Sequence, residues 1–263
     1  PTINAIATSA MSWGAVLNAT EDNSNGTVTV TTTGVEDGAT VTITLNGSTY
    51  TGSVSSNSTT VTISAAGLQA LTNGSSYTMT ADVTDANGNA ATQLTSSSFS
   101  VDTTAPTINA IATSAMSWGA VLNATEDNSN GTVTVTTSGA EDGQTLTITL
   151  NGSTYTGSVS SNSTAVTISA AGLQALTSGS SYTMTADVSD AAGNAATQLT
   201  SSSFSVDSTA PTINAIATSA MSWGASLNAA EDNSNGTVTV TTSGAEDGQT
   251  LTITLNGSTY TGS

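Results

Sequence analysis

The sequence predicts an all-β protein, built as tandem β-sandwiches arranged end to end. Thr alternates with aliphatic residues in short runs, the two-residue period of a half-buried strand. Glycine- and asparagine-rich turn signals separate those runs at close spacing. The whole pattern then repeats: residues 1 to 105 recur as 106 to 210 with nine differences, and 211 to 263 match the opening half again. A period of 105 residues is the size of a domain, whereas solenoid repeats run about 20–50 residues.

Taken in order, Thr2 to Thr8 opens each unit as a strand. Thr27-Val28-Thr29-Val30-Thr31-Thr32 and Thr40-Val41-Thr42-Ile43-Thr44-Leu45 alternate cleanly. Asn46-Gly47 supplies the pair that a tight hairpin prefers, because both central positions take positive φ. Ser48 to Val54 returns as the partner strand, and Thr59 to Ser64, Ser76 to Val83 and Ser97 to Asp102 complete the set. A helical turn over Ala65 to Leu71 joins the fifth strand to the sixth. Seven short strands in 105 residues is the pattern of an immunoglobulin-like sandwich, here without its disulfide. The expected core is Val28, Val30, Val41, Ile43, Leu45, Val61, Ile63, Tyr77, Met79, Ala81, Phe99 and Val101, with Trp13 closing its edge rather than stacking on a sugar. The units are residues 1–105, 106–210 and the N-terminal half of a third, 211–263.

Charge narrows the function. The chain has no Lys, Arg or His against eighteen Asp and Glu, which excludes nucleic acid, whose phosphates need Lys or Arg, and electrostatic docking on an anionic membrane. Without His, Cys or Lys, the usual general bases and the strongest nucleophiles are missing, so no enzyme is expected. Zinc and other soft metals lose their ligands as well. No apolar run approaches the roughly 20 residues of a membrane span, so no direct membrane insertion is expected. The start on Pro1 and the stop in mid-unit at Ser263 suggest a piece of a longer protein. Surface positions are copied as closely as apolar ones, and copy number sets length, reach and multivalency rather than catalysis.

Three stretches carry a resemblance over the whole 105-residue unit. Val101-Asp102-Thr103-Thr104-Ala105-Pro106, Asp82 to Ala91 and Ala65 to Leu71 resemble the bacterial immunoglobulin-like extender repeats of giant repeats-in-toxin adhesins. The resemblance implies a non-catalytic spacer on the extracellular bacterial cell surface, with Ca2+ stiffening the joints. It also implies that the ultimate ligand is bound by domains outside these residues.

The acidic residues point the same way independently. An odd number of alternating strands puts the chain ends of each unit at opposite poles, termed here the N-pole and the C-pole. Glu21, Asp22 and Asp102 fall at the C-pole of the first unit; Glu36, Asp37, Asp82 and Asp85 fall at its N-pole. Stacking then faces Glu21, Asp22 and Asp102 against Glu141, Asp142, Asp187 and Asp190 of the second unit. Glu126, Asp127 and Asp207 likewise face Glu246 and Asp247 of the third. Carboxylates about 4 Å apart repel by about 4 kcal/mol at an effective dielectric of 20, and no cationic side chain offsets this. An oxygen-only ligand set suits calcium, several ions per repeat, better than magnesium. The simpler alternative is that these are solvated loop charges maintaining solubility. No segment fits the EF-hand pattern. Asp85-Ala86-Asn87-Gly88-Asn89 is the nearest local loop, and Ala192 in place of Asn87 rules that side chain out as an essential ligand.

Other signals carry less. Outward Thr ladders are what any sandwich of this composition shows. Asn18, Asn46 and Asn57 open glycosylation sequons, which matter only in a host that uses them. Two further functions remain open: a repeated carbohydrate- or protein-binding module, requiring exposed aromatics among Trp13 and Tyr50, and a self-assembling filament or surface-layer subunit, requiring lateral contacts. The expected partners are neighbouring repeats of the same chain.

Overall fold

The structure is a computed structural model describing residues 1–263. In the first repeat the strands are β1 (Thr2–Ile3), β2 (Val16–Leu17), β3 (Gly26–Thr33), β4 (Thr40–Leu45), β5 (Ser48–Ser53), β6 (Ser58–Ile63), β7 (Ser76–Tyr77), β8 (Thr80–Val83), β9 (Leu94–Thr95) and β10 (Phe99–Val101), with helix α1 at Ala65–Gln69. They form sheets in the orders β1-β3-β6, β5-β4-β8-β9 and β2-β10-β7. All pairs are antiparallel except β2 with β10, which run parallel. The second repeat copies this arrangement strand for strand.

Each of the seven expected strands is present, the sixth broken and the first shortened, while β9 lies outside all of them. The sixth splits at Thr78 and Met79 because the chain changes partner there, β7 pairing β10 and β8 pairing β4. Met79 N donates to Ser96 Oγ and Ser96 N donates to Met79 O, so both strands cross between sheets at one point. The opening strand stops at Ile3 because the chain also switches sides: Asn4 N donates to Thr31 O, and Ser97 N donates to Ile6 O. Strand β2 gives no sequence signal, being two residues long and held by the edge of β10. Positive φ at Asn46, 48°, and Gly47, 79°, makes the β4–β5 hairpin turn that their sequence demands.

Two separate cores result, one from Ile6 to Val101 and one from Ile111 to Val206, each with 20 buried residues. Val28, Val30, Val41, Ile43, Val61 and Ile63 are wholly buried on alternating positions. Trp13 is not an edge residue but a core one, 4 % exposed, stacked edge-on against Phe99 at 5.3 Å. Gly26 makes room for it, since a Cβ there would lie 2.6 Å from Trp13 Cζ3. Tyr77 is half-buried, and its hydroxyl accepts from Thr72 N at 2.9 Å; Tyr182 repeats this with Thr177 N at 3.0 Å. Such a tyrosine corner belongs to immunoglobulin-like sandwiches. In residues 211–263 Thr212–Ile213 pairs with Thr242–Ser243 and Leu251–Leu255 with Ser258–Gly262, leaving Ile213, Leu255 and Tyr260 exposed.

Candidate functional site at the joint between repeats

The C-pole of the first repeat meets the N-pole of the second around the segment Asp102 to Pro106. This segment is pinned along its length. Asp102 N donates to Leu17 O, Thr104 N to Asp102 Oδ1, and Thr103 N to Asn73 Oδ1. Asn73 Nδ2 in turn donates to Thr104 Oγ1 at 2.6 Å. Pro106 is buried and fixes φ where the second repeat begins.

Three hydrogen bonds cross the joint. Asn18 Nδ2 donates to Ala192 O at 2.9 Å, Ala19 N donates to Asn194 Oδ1 at 2.8 Å, and Asn194 Nδ2 donates to Asp102 O at 2.9 Å. Gly193, at φ +91°, allows the approach: a Cβ would stand 3.3 Å from Asn18 Nδ2. Asn18 is held in place by its own turn, its Oδ1 accepting from Thr20 N and Glu21 N. Asp190 is 4 % exposed and Asn194 3 % exposed. The Asp190 carboxylate accepts from Asn194 N and Asn194 Nδ2, both at 2.8 Å.

Of the carboxylates expected here, two reach the contact: Asp102 through its backbone carbonyl and Asp190 through Asn194. The rest lie at the anticipated poles but are engaged locally. Glu21 Oε2 accepts from Asn18 N, Glu141 Oε2 from Ala191 N, Asp142 Oδ1 from Ser161 N, and both Asp187 oxygens from Gln198 Nε2. At the N-pole of the first repeat Glu36 accepts from Ala86 N, Asp37 from Ser56 N and Asp82 from Gln93 Nε2. At the C-pole of the second, Glu126 accepts from Asn123 N and Asp207 from Thr209 N. Asp22 and Asp127 are half-buried in the turn after these Glu residues, and Glu246 and Asp247 sit in an exposed turn. The expected crowding of seven carboxylates is not what the joint shows. No three acidic residues converge, and most of these carboxylates accept from an N–H of their own repeat.

The Asp85 carboxyl is held below its ordinary 3.8, chiefly by the Asn89 side chain and then by the Asn89 and Asn87 backbone N–H groups. Asn89 and Asn194 carry no charge, so the acidic pattern of the sequence does not mark them. The available signal was the loop itself, in which Asp and Asn flank a position free to change from Asn87 to Ala192. As to a binding module, Trp13 and Trp118 are buried, and Tyr50 lies over Gly67 in contact with it. No helix is long and apolar enough to cross a membrane.

The chain was compared with known proteins. No family model matches it, and no curated protein does. Among solved structures, a Ca2+-stabilized adhesin with which an Antarctic bacterium reaches out and binds ice is 31 % identical, over 99 % of this chain and 62 % of that one, with a TM-score of 0.52. A bacterial immunoglobulin-like domain from the M. primoryensis ice-binding adhesin is 32 % identical over 38 % of this chain and 94 % of that domain, TM-score 0.28. The chain belongs to the bacterial immunoglobulin-like adhesin repeats. A third neighbour, from a 1.5-MDa bacterial ice-binding adhesin, is 30 % identical over 79 % of this chain and 64 % of that one, TM-score 0.44. The chain thus spans less than two thirds of the longer adhesin structures it matches.

Proposed function

We propose that the chain is a spacer of a giant cell-surface adhesin, non-catalytic and extracellular, rigidified by Ca2+ bound at the joints between repeats. Its units are residues 1–105 and 106–210, followed by 211–263, and its partners are its own neighbouring repeats. The ligand would be held by domains elsewhere in the protein. The observation that carries this reading is the first joint itself: a pinned segment, a buried Pro106 and three hydrogen bonds from one repeat to the next, in a sequence that recurs every 105 residues. A linker meant to swing would leave these backbone groups to water.

The donor chemistry fits calcium. Every charged side chain is a carboxylate, and Glu21 Oε1, Asp102 Oδ2 and both Asp22 oxygens remain free of hydrogen bonds. Glu21, Asp22 and Asp102 with Glu141, Asp142, Asp187 and Asp190 would supply the oxygens of the first joint. The equivalent groups are Glu36, Asp37, Asp82 and Asp85 at the leading pole, and Glu126, Asp127, Asp207, Glu246 and Asp247 around Pro211. A bound divalent cation would supply the positive charge that this sequence lacks, drawing together poles of like sign. The adhesin sharing 31 % identity is itself Ca2+-stabilized.

Calcium titration of the 263-residue chain tests this. Melting temperature and the longest dimension in small-angle scattering should both rise with Ca2+ and fall with chelator. If both ignore the ion, the calcium brace is wrong.

A further inference from the structure

We propose that Asn73 and Ser178, which occupy the same place in the two complete repeats, are positioning residues that set how firmly each linker is held. The linker after the first repeat, Asp102 to Pro106, is held more firmly than the one after the second, Asp207 to Pro211. This deepens the calcium-braced spacer reading and takes its purpose from it, but part of its test does not require the ion.

Position 73 is itself fixed. It lies in the turn Thr72 to Ser75, which is fastened to the body of the repeat. Thr72 N donates to the Tyr77 hydroxyl at 2.9 Å, Gly74 N donates to Val101 O at 2.8 Å, and Val101 N donates to Ser75 O at 2.9 Å. Around Ser178 the same bonds recur at 3.0, 2.7 and 2.9 Å. A side chain here reaches the linker from a rigid base.

What it does there differs between the repeats. The Asn73 amide gives a separate atom to each of two linker residues: Oδ1 accepts from Thr103 N at 2.9 Å, and Nδ2 donates to Thr104 Oγ1 at 2.6 Å. Ser178 has one oxygen for both, accepting from Ser208 N at 3.1 Å and sharing a hydrogen bond with Thr209 Oγ1 at 3.2 Å. Both of its contacts are the longer ones, and hydrogen bonds weaken with length. Two of the nine differences between the repeats meet at this contact, Asn73 to Ser178 and Thr103 to Ser208. The linker turn itself is unchanged, Thr104 N and Thr209 N each donating to Oδ1 of the preceding aspartate at 3.1 Å. The repeats keep the base and the linker turn, and vary the clamp between them.

The consequence falls on Asp102. Its carboxylate is oriented by Thr104 N, and Thr103 and Thr104 are the residues that Asn73 holds. A ligand group already held in place loses less freedom when a cation takes it. Position 73 therefore tunes each joint by itself, while the repeat length stays the same. Asn73 is exposed, so its removal leaves no buried group unpaired and should not weaken the sandwich.

The test uses the full chain and NMR of the linker amides. In chelator, Thr103 N should be better protected from hydrogen exchange than Ser208 N, each relative to its unfolded rate. Asn73→Ala should lower the protection of Thr103 N by about twofold to tenfold, the worth of one hydrogen bond. Ser178→Asn, which gives the second linker the residue of the first, should raise that of Ser208 N, a gain that damage to the fold cannot produce. In a Ca2+ titration read at the Asp102, Thr103 and Thr104 amides, Asn73→Ala and Asn73→Ser should raise the midpoint by about twofold to tenfold. The midpoint at Asp207 to Thr209 should stay put, and so should the melting temperature in chelator, which a merely structural role would move. Unchanged protection in Asn73→Ala or Ser178→Asn overturns the clamp, and so does a midpoint at the first linker that ignores both Asn73 variants. If no linker amide of the parent responds to Ca2+, the calcium brace is wrong, and the exchange rates alone decide the clamp.

Discussion

Residues 85–89 and 190–194 form nearly the same loop in two settings, one at a free pole and one in a joint. Both fold around an Asp whose carboxylate takes the backbone and side-chain N–H groups of the Asn four residues on. At the free pole Asp85 is half-buried and Asn89 exposed; in the joint their counterparts are 4 % and 3 % exposed. The sequence difference between the loops is the change from Asn87 to Ala192, at a position that offers Asn18 its carbonyl rather than its side chain. Burial therefore comes from the neighbour and not from the loop's own residues. One motif serves as a solvated cap at one place and as a docking surface at another.

Paired substitutions sharpen this contrast, because a change in the sandwich body should act alike in both repeats and a change in the joint should not. The largest effect is expected in the body. Trp13→Ala and Trp118→Ala each remove a buried aromatic, at a cost of about 3–5 kcal/mol, and calorimetry should show similar losses for the two. A strong inequality would mean that the repeats do not fold as equivalent units. Next in size is Asp190→Ala, which leaves Asn194 Nδ2 buried with one partner fewer; about 1–3 kcal/mol is expected for a group so stranded. Asp85→Ala, in solvent, should change chemical denaturation less.

A smaller contrast comes from glycine. Gly88 and Gly193 have φ of +85° and +91°, so alanine at either costs about 1–2 kcal/mol of backbone strain. Only at Gly193 would the new Cβ also press on Asn18, at 3.3 Å; hydrogen exchange at Ala19 N should speed up in Gly193→Ala and not in Gly88→Ala. The smallest effect is the titration of Asp85. Its pKa is depressed, so the stabilisation it gives the loop is present above its ordinary 3.8 and is lost as pH falls through the lower folded value. A carboxyl-carbon NMR titration should place the midpoint below 3.8, and Asn89→Ala should bring it back up.

Much of the fold was legible because it depends on local pattern. The alternation in Thr27 to Thr32 and Thr40 to Leu45 fixed which residues face inward, since a one-residue shift would reverse every side chain. Asn46-Gly47 fixed the hairpin through its positive φ. Strand β2, the break at Met79 and the burial of Trp13 were not legible. Each is decided by a partner distant in sequence: β10 for Val16 and Leu17, Ser96 for Met79, and Gly26 for Trp13. The candidate site divided in the same manner. The poles at which Glu21, Asp102, Glu36 and Asp85 lie follow from counting strands, but charge gave no hint that neutral Asn18 and Asn194 make the contact.

By itself the sequence determined the sandwich, its period and its chemical limits, because strand periodicity, turn residues and the absence of Lys, Arg, His and Cys are local or compositional facts. The tertiary structure decided what the joint is made of. The carboxylates that find a donor take one from their own repeat rather than from the neighbour across the joint, and that outcome depends on distance, which composition does not contain. Glu21, Glu141, Asp142 and Asp187 turned to nearby donors, leaving Asn18, Asn194 and the backbone of Ala19, Asp102 and Ala192 to make the contact between repeats.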